Sequence, residues 1–446
     1  MSSVKSPSSV VTLQFRPPAL RWLLLLPVLV ALLGAWFSVR WYVGDTIAEY
    51  APPVDDGGLE MAQMAVRWAP GDPLTHWRLA TFEMKNFNAA NVAAAVAEYQ
   101  LAVKASPYDY RYWMELGRAL ESAGDVAGGE KALRHAVELA PSYAHPKWLY
   151  GNLLLRQGRT DEAFAELSAA AEADPLMRPA VFGLANQVYG SDVEKSVKVL
   201  PTPIMRLQYA MNLVINSKFD EARRVIRTIS VADQKAQREI VDELMKEFVT
   251  RKQFHAALEI LRQVESDSQP PAPEQVWNGS FESEVPTTPI IPFYWLIETR
   301  PQAQTTIDQR GHNSSRCLKI SFRAPNKLER ISVSQTITVA PDTSYRLQFY
   351  QRTEKLVGAA TPFITINDEV NGGALAMSQP VPAGTSDWQL VTVEFRTKPK
   401  SDGIAIVLTS GSCSDPKEIC PLFGSVWYDD FNLQRISGPS PARKVD

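Results

Sequence analysis

Three carboxylates are the side chains with the clearest potential for chemistry, namely Glu282, Asp429 and Asp430. Asp429 and Asp430 are adjacent in a Trp-Tyr-Asp-Asp-Phe run, and Glu282 ends an earlier Asn-Gly-Ser-Phe-Glu run. Two carboxylates are sufficient for glycoside hydrolysis, in which one donates a proton and the other acts as base or nucleophile. A glycoside hydrolase is therefore one alternative that these residues leave open.

Other catalytic patterns are missing from the sequence. There is no HExxH, GxSxG or CxxC motif, no phosphate-binding glycine loop and no EF-hand loop. The formal net charge of −3 shows no excess of basic residues, which nucleic-acid binding usually requires. We therefore predict a protein that is not an enzyme and has no nucleic-acid partner.

The chain contains three cysteines, Cys317, Cys413 and Cys420. Cys413 and Cys420 are close together in a stretch rich in Gly, Ser, Asp and Pro, where a disulfide could close a small loop. The alternative is two unpaired thiols in a loop. An oxidising compartment would favour the disulfide.

Residues 22–42 predict a transmembrane signal anchor. The run Trp22–Val39 contains no charged residue and, as a helix, spans roughly 27 Å, close to the ~30 Å of a bilayer core. Basic residues precede it and acidic residues follow it. Positively charged flanks stay in the cytoplasm, so residues 1–21 are predicted to be a cytoplasmic tail.

This topology predicts a single-pass protein of the cytoplasmic (inner) membrane, with most of the chain extracytoplasmic or periplasmic. The alternative is a cleavable signal peptide, which has a shorter apolar region and a small-residue cleavage site. Bulky Trp36 and Phe37 directly follow Ala35, which disfavours cleavage there.

Residues 57–265 have a helical apolar pattern that repeats every 34 residues. Equivalent residues are Gly117 and Gly151, Gly124 and Gly158, Ala136 and Ala170, and Pro141 and Pro175. With this period and these residues, the segment resembles the tetratricopeptide repeat family. The resemblance implies a stack of helical hairpins, an α-solenoid whose groove binds protein partners; a rigid spacer is the alternative. The segment from Gly183 to Pro203 matches the repeat poorly.

The pattern changes after residue 265. Residues 266–275 are rich in proline and predict an extended linker, whereas residues 276–436 show short alternating runs separated by turn signals. Many short strands without helices predict an antiparallel β-sandwich. Residues 437–446 are predicted to be a flexible tail. The expected fold class is thus multidomain, α then β.

Residues 276–436 resemble jelly-roll carbohydrate-binding modules, in particular the group around families four and nine. The resemblance rests on the Asn278–Glu282 run, the Tyr294-Trp295 pair, the segment from Pro341 to Arg352 and the closing Trp427–Phe431 run. It implies a structural calcium ion held by Glu282 and Asp430, with Asp429 as a substitute ligand. The alternative is two carboxylates that are simply solvated, and no cofactor is required.

The resemblance also implies a glycan-binding face. Alternation along residues 345–352 puts Arg346, Gln348, Tyr350 and Arg352 on the side opposite to the apolar residues of the same strand. Polar groups beside an aromatic ring are typical of sugar sites. A sheet face that only meets solvent is the alternative, and Trp295, Trp388 and Trp427 are expected in the core.

Together these features predict a membrane-anchored extracytoplasmic scaffold of the cell envelope. The repeats would recruit a protein partner, and the sandwich would bind a polysaccharide or another envelope component. This arrangement would suit assembly or export of a surface polysaccharide. A purely structural assembly factor without sugar binding is the main alternative.

Overall fold

The computed structural model describes residues 25–85, 88–265, 269–286, 291–298, 300–324, 332–358, 360–410 and 421–436. Contacts divide the chain into two compact units, Met1–Leu184 and Ala185–Asp446. The division falls within the helices and does not coincide with the proposed linker at residues 266–275. The last helices therefore belong to the same unit as the strands, while the limits proposed for each domain stay predictions.

The first unit consists of helices that pack on each other in sequence. Their bounds are α1 Leu25–Glu49, α2 Gly58–Trp68, α3 Pro73–Glu83, α4 Ala89–Ala105, α5 Tyr110–Ser122, α6 Val126–Leu139, α7 Ala144–Arg156 and α8 Thr160–Ala173. Helix α9, Arg178–Tyr189, crosses the division between the units.

Equivalent glycines allow the helices of two successive hairpins to approach closely. A Cβ atom on Gly117 would lie 2.6 Å from Cγ of Leu133, and one on Gly151 would lie 2.8 Å from Cγ of Leu167. The same contact therefore recurs 34 residues later, with the partner leucine displaced by the same period. The predicted helical repeat is confirmed, and its small residues are needed where helices cross.

Helix α1 is the apolar N-terminal helix. It is the one described helix that is long and apolar enough to cross a membrane. Its last turns pack within the first unit: Gly44 lies against Ala69, and Arg78 donates hydrogen bonds to the carbonyls of Ala48 and Glu49. The helix thus extends beyond the predicted span and forms a hairpin with α2, a partner that the sequence did not reveal.

His76, on α3, is a buried histidine whose two ring nitrogens both meet acceptors. Nδ1 lies 2.6 Å from Oε2 of Glu98, and Nε2 lies 2.9 Å from the carbonyl oxygen of Pro70. Burial disfavours the charged ring, but these hydrogen bonds and the charges of Glu98 and Asp72 outweigh it and raise the pKa of His76. The imidazolium form can donate to both acceptors.

We expect His76→Gln to destabilise the protein by about 1.5–3 kcal/mol at acidic pH, because two hydrogen bonds from a charged group are lost. A raised pKa stabilises the fold fully below about 6.5, the unfolded value. That stabilisation is lost as the pH rises through the higher pKa of the folded state. Melting temperatures of both proteins should therefore converge toward alkaline pH.

His135→Gln is the matched control. His135 is partly exposed, and the carboxylate that it contacts is Glu138 of its own helix. Its melting temperature should follow that of the wild-type protein at every pH. A constant difference between wild type and His76→Gln across the pH range would contradict a charged His76.

The second unit begins with further helices. They are α10 Val193–Lys198, α11 Pro203–Ile215, α12 Phe219–Arg227, α13 Val231–Ala236, α14 Arg238–Thr250 and α15 Phe254–Val264. The segment from Gly183 to Pro203, which matched the repeat poorly, includes the end of α9 and the six residues of α10. A shortened second helix accounts for the loss of the repeat pattern there.

The strands form two five-stranded sheets. Their bounds are β1 Leu296–Glu298, β2 Ala303–Asp308, β3 Cys317–Ala324, β4 Ser332–Thr338, β5 Ser344–Gly358, β6 Pro362–Asp368, β7 Ala374–Met377, β8 Gly384–Arg396, β9 Gly403–Ser410 and β10 Leu422–Arg435. The strand orders are β1-β4-β9-β6-β7 and β2-β3-β10-β5-β8. Every described pair is antiparallel.

One apolar core joins the two sheets. It includes Ile364 and Ile406 of the first sheet and Leu347, Phe349 and Tyr428 of the second, all at most 1% exposed. Because side chains alternate along a strand, the opposite face of each sheet points away from this core. The predicted fold class is confirmed: helical repeats are followed by an antiparallel β-sandwich.

The last helical hairpin packs directly on the sandwich. Both carboxylate oxygens of Asp402 accept hydrogen bonds from His255 at the start of α15, one from its backbone N–H at 3.0 Å and one from its ring at 2.6 Å. Next to it, Gly403 touches the Phe254 ring so closely that a Cβ atom would lie 2.7 Å from it. The side chain that caps this helix therefore comes from the sandwich.

Candidate functional site

The outer face of the second sheet carries the four residues proposed for glycan binding. Along β5, Tyr345, Leu347 and Phe349 are fully buried, whereas Arg346, Gln348, Tyr350 and Arg352 alternate with them and are partly exposed. They therefore lie on one face, as the alternation predicts, and their role in binding stays a prediction.

Gln348 and Tyr350 line an open pocket of about 450 Å³ on this face. The pocket is also lined by Asp430 and Asn432 of β10, Leu390 of β8, and by Gly279, Ser280 and Phe431. Tyr350 and Leu390 are direct cross-strand neighbours, and Leu390 is 50% exposed. The pocket thus combines an apolar patch with amide, hydroxyl and carboxylate groups.

A β-bulge in β10 directs Asp430 into this pocket. The register with β5 shifts between Asp429 and Asn432, and Asp430 has a φ of 53° in the left-handed region. Gly279 packs against the bulge so tightly that a Cβ atom would lie 2.1 Å from the carbonyl oxygen of Phe431. The Asn-Gly-Ser-Phe-Glu run thus holds the bulge in place. Bulges beside binding sites commonly re-aim a side chain, here that of Asp430.

The loop between β2 and β3 packs against two residues that line the pocket. The ring of His312 stacks on Tyr350 with centroids 3.7 Å apart, and its Nδ1 lies 2.9 Å from Oδ2 of Asp430. Trp388 meets the same histidine edge-on at 5.8 Å. His312 is a site residue that the sequence did not single out, because it is far from Tyr350 and Asp430 along the chain.

Asp429 anchors this loop from below. It is fully buried, and its carboxylate accepts hydrogen bonds from the backbone N–H of His312 at 2.7 Å, from Oγ of Ser314 at 2.8 Å and from the N–H of Asp430 at 2.8 Å. Burial raises the pKa of Asp429, an effect that these hydrogen bonds oppose. The residue has a positioning role and is not exposed to a ligand.

Glu282 also contacts the loop, and both of its carboxylate oxygens already accept hydrogen bonds. Its two carboxylate oxygens accept hydrogen bonds from Oγ of Ser315 and the N–H of Arg316, both at 2.6 Å. The hydrogen bond from Ser315 is the main reason that the pKa of Glu282 is lowered. Asp430, the other proposed ligand, contacts His312 instead.

Within the described parts of the chain, no three side chains of His, Cys, Asp or Glu come together as a metal-binding group. Calcium prefers six to eight oxygen ligands, so the residues present fit the ion poorly. A structural calcium ion at Glu282 and Asp430 stays a prediction that this geometry does not strengthen.

Trp427 lies on the outer face, where the sequence led us to expect a core residue. It is 1% exposed because cationic side chains cover it: Nζ of Lys319 lies 4.9 Å and the guanidinium carbon of Arg352 lies 5.0 Å from the ring centroid. Trp295 is fully buried in the core, as expected. Trp388 is partly exposed beside His312, so its expected core position is wrong.

Of the cysteines, the structure describes Cys317, which contributes no chemistry to this site. Cys413 and Cys420, the proposed disulfide pair, lie outside the described residues. Cys317 is buried at the start of β3, where burial and the nearby charges of Asp429 and Asp308 raise its pKa to about 12. A thiol with so high a pKa is a poor nucleophile at neutral pH.

The repeat unit has a separate open pocket of about 660 Å³ around Trp113 on α5. The other lining residues come from α6 and carry both charges, among them Glu130, Arg134 and His135. His135 packs edge-on against Trp113 at 4.6 Å. An aromatic ring rimmed by charges of both signs is typical of a protein-binding surface.

Comparison with known proteins identifies one segment of the helical part. Residues 110–143, which include α5 and α6, match the family model of the tetratricopeptide repeat. No curated protein matches the chain. The fold thus defines a protein in which helical hairpins of the tetratricopeptide type are followed by an antiparallel β-sandwich.

Solved structures similar to parts of the chain include one described as "CBM4 structure and function", with 16% identity over 36% of this chain and 99% of the other, at a TM-score of 0.28. A crystal structure of MamA has 14% identity over 41% of this chain and 91% of the other, at a TM-score of 0.26. The enzymatically active domain of tailspike protein 4 from bacteriophage CBA120 has 18% identity over 36% of this chain and 21% of the other, at 0.27.

Tetratricopeptide repeats are scaffolds for protein–protein interaction, and residues 110–143 of this chain form such a repeat. The function of the sandwich depends on what its outer face binds.

Proposed function

We propose that the protein is a membrane-anchored extracytoplasmic adaptor, whose repeats recruit a protein partner and whose sandwich binds a polysaccharide. The observation that carries the proposal is the pocket on the outer face of the second sheet, lined by Gln348, Tyr350, Leu390, Asp430 and Asn432. Handling of a surface polysaccharide, in its assembly or export, is the role that this combination suits best.

The lining of the pocket has the two properties that a sugar ring requires. Leu390 and the Tyr350 ring offer apolar surface for the C–H groups of a sugar. The side chains of Gln348, Asn432 and Asp430 offer amide donors, amide acceptors and a carboxylate for its hydroxyl groups. The pocket is open to solvent, so an internal unit of a polymer can enter it.

Helix α1 supports the membrane anchor. Its apolar side chains from Leu25 to Tyr42 are largely exposed, whereas Gly44 and Ala48 are buried in the first unit. An exposed apolar surface of this length is stable in a bilayer and costly in water. We therefore propose an uncleaved anchor in the inner membrane, with the remainder of the chain outside the cytoplasm.

The carboxylates of the site favour binding over hydrolysis. A glycosidase needs two carboxylates that reach the substrate. Asp429 is fully buried, and both oxygens of Glu282 are occupied by Ser315 and Arg316. This leaves Asp430 as the carboxylate that lines the pocket. We propose that the protein binds its glycan without cleaving it and requires no cofactor.

Affinity electrophoresis of the full chain in detergent, through gels that contain envelope polysaccharides, tests this function. We expect a retarding polysaccharide to be found, and the retardation to be lost in Tyr350→Ala, because that change removes both the apolar surface and the partner of His312. Val357→Ala is the control: Val357 is 64% exposed on the same strand but does not line the pocket.

Equal retardation of wild type and Tyr350→Ala would place binding elsewhere on the chain. No retardation by any polysaccharide would favour the alternative, a purely structural assembly factor. Release of reducing ends during incubation, abolished in Asp430→Asn, would instead favour a glycoside hydrolase.

A further inference from the structure

Three cationic side chains converge on the indole ring of Trp427. The charged groups of Lys319, Arg352 and Arg310 lie 4.9, 5.0 and 6.0 Å from the ring centroid. Each is within the range of a cation–π interaction. The ring itself is 1% exposed, so a ligand that approaches this part of the sheet meets the cations and not the indole.

The geometry of this basic cluster is set by the sheet. Trp427 on β10 is in direct register with Lys319 on β3 and with Arg352 on β5, so the three side chains form one row across neighbouring strands. The indole Nε1 donates a hydrogen bond of 2.8 Å to Oδ2 of Asp308, which fixes the ring. The cations are therefore held in place by an immobile aromatic platform.

Among the residues that the structure describes, negative charge balances the cluster only in part. Asp308 accepts from Arg310 at 3.2 Å, and Glu354, further along β5, acts on Arg310 through space. Neither Lys319 nor Arg352 forms an ion pair within the described residues. By contrast, Arg346 on the same face of β5 pairs with Glu394 at 2.7 Å. Like charges brought together without partners repel each other, and a bound anion would relieve that repulsion.

We propose that the polysaccharide bound by this face is acidic, and that Lys319, Arg352 and Arg310 hold its anionic groups. The inference rests on the proposed function, because it names the class of glycan that the same face recognises. Tyr350 and Arg352 are two residues apart on one strand, a distance of roughly 7 Å along the sheet. A single polymer can therefore occupy the pocket and reach the basic cluster with an adjacent unit.

The charges along the face also give the polymer a preferred position. Asp430 in the pocket repels an anionic group there, whereas the basic cluster attracts one. A neutral part of the polymer therefore occupies the pocket, and a carboxylate, sulfate or phosphate group lies over the cluster. Guanidinium groups such as that of Arg352 suit such anions because they bind two oxygens at once.

Calorimetric titration of the full chain in detergent tests the proposal. The ligands are an oligogalacturonate, the same oligosaccharide with its carboxyl groups reduced, and a sulfated oligosaccharide of similar length. We expect at least one acidic ligand to bind about tenfold or more tightly than the neutral one, and its affinity to fall as salt is added.

Lys319→Gln and Arg352→Gln should each weaken acidic binding by about tenfold, and Lys319→Gln should leave neutral binding within about twofold. Arg435→Gln is the matched control, because Arg435 lies at the far end of β10, outside the proposed site, and its guanidinium is already paired with Glu274. Unchanged melting temperatures would verify that the variants fold. The difference between carboxylate and sulfate ligands identifies the anion and supports the proposal in either case.

Equal affinity for acidic and neutral ligands, unaffected by Lys319→Gln and Arg352→Gln, would overturn the acidic class and leave glycan binding intact. A protein that binds neither kind of glycan would remove the proposed function as well. Binding to anionic lipid vesicles through Lys319 and Arg352, without binding to any glycan, would also overturn the proposal.

Discussion

Phe254→Ala is expected to destabilise the second unit by about 3–5 kcal/mol, the usual effect of removing a buried aromatic side chain. Phe254 is 1% exposed at the start of α15, and its ring contacts Gly403 of β9. The change leaves a cavity between the last helical hairpin and the sandwich. Urea denaturation of the full chain, followed by hydrogen exchange of individual segments, measures the effect.

The segments in which hydrogen exchange becomes faster distinguish this contact from that of an ordinary core residue. In Phe254→Ala, exchange should increase both in α15 and in β9. Phe248→Ala is the matched control: Phe248 is fully buried in α14, where its ring lies 6.4 Å from that of Phe219. That variant should lose similar stability but speed exchange mainly in the helices. Unaltered exchange in β9 of Phe254→Ala would show that the hairpin and the sandwich are energetically independent.

Asp429→Ala is expected to abolish glycan binding although Asp429 cannot touch the ligand. The change leaves the backbone N–H groups of His312 and Asp430, and the Ser314 hydroxyl, without their acceptor. Buried donors without partners cost about 1–3 kcal/mol each, so the loop from Gly311 to Arg316 should detach from the sheet. His312 would then lose its contacts with Tyr350 and Asp430, and these two lining residues of the pocket would no longer be held in position.

The measurement for Asp429→Ala is calorimetric titration with the polysaccharide that wild type binds, combined with a melting curve. We expect a loss of affinity of at least about a hundredfold, because the contacts of the loop and of Tyr350 fail together. Asp387→Ala is the control, since Asp387 is exposed on β8 and bonds only to the backbone of the next residue. Wild-type affinity in Asp429→Ala would show that the loop does not shape the site.

The sequence was sufficient for features that depend on local periodicity. The spacing of 34 residues predicts that Gly117 and Gly151 occupy equivalent crossings, and both lie against equivalent leucines. Alternation along β5 predicts that Tyr350 and Arg352 share a face, and they do. In each case the spacing along the chain determines which side of a helix or strand a residue occupies.

Features that depend on contacts between distant segments could not be predicted in this way. The stacking of His312 on Tyr350 requires the β2–β3 loop to fold over β5, and the bulge at Asp430 interrupts the alternation that the sequence suggested. Trp427 was expected in the core from the resemblance to jelly-roll modules. Its true environment is set by Lys319 and Arg352, which belong to other strands.

The contact between the last hairpin and the sandwich could not be predicted from the sequence either. The proline-rich segment after residue 265 predicts an extended connector, and it does not reveal that Asp402 caps α15 from 147 residues away. A change of composition marks where the secondary structure changes, and it carries no information about packing across that point. The boundary between two units can therefore be located only from the structure.

Hydrogen exchange of the full chain, with and without saturating acidic polysaccharide, tests most directly that the outer face of the second sheet is the binding site. We predict that the ligand slows exchange in the loop from Gly311 to Arg316, in β5 around Tyr350 and Arg352, and in β10 around Asp430. The first sheet and the repeat helices should be unaffected. Protection confined to the repeat helices or to the first sheet, with no change around Tyr350, would contradict this account of the protein.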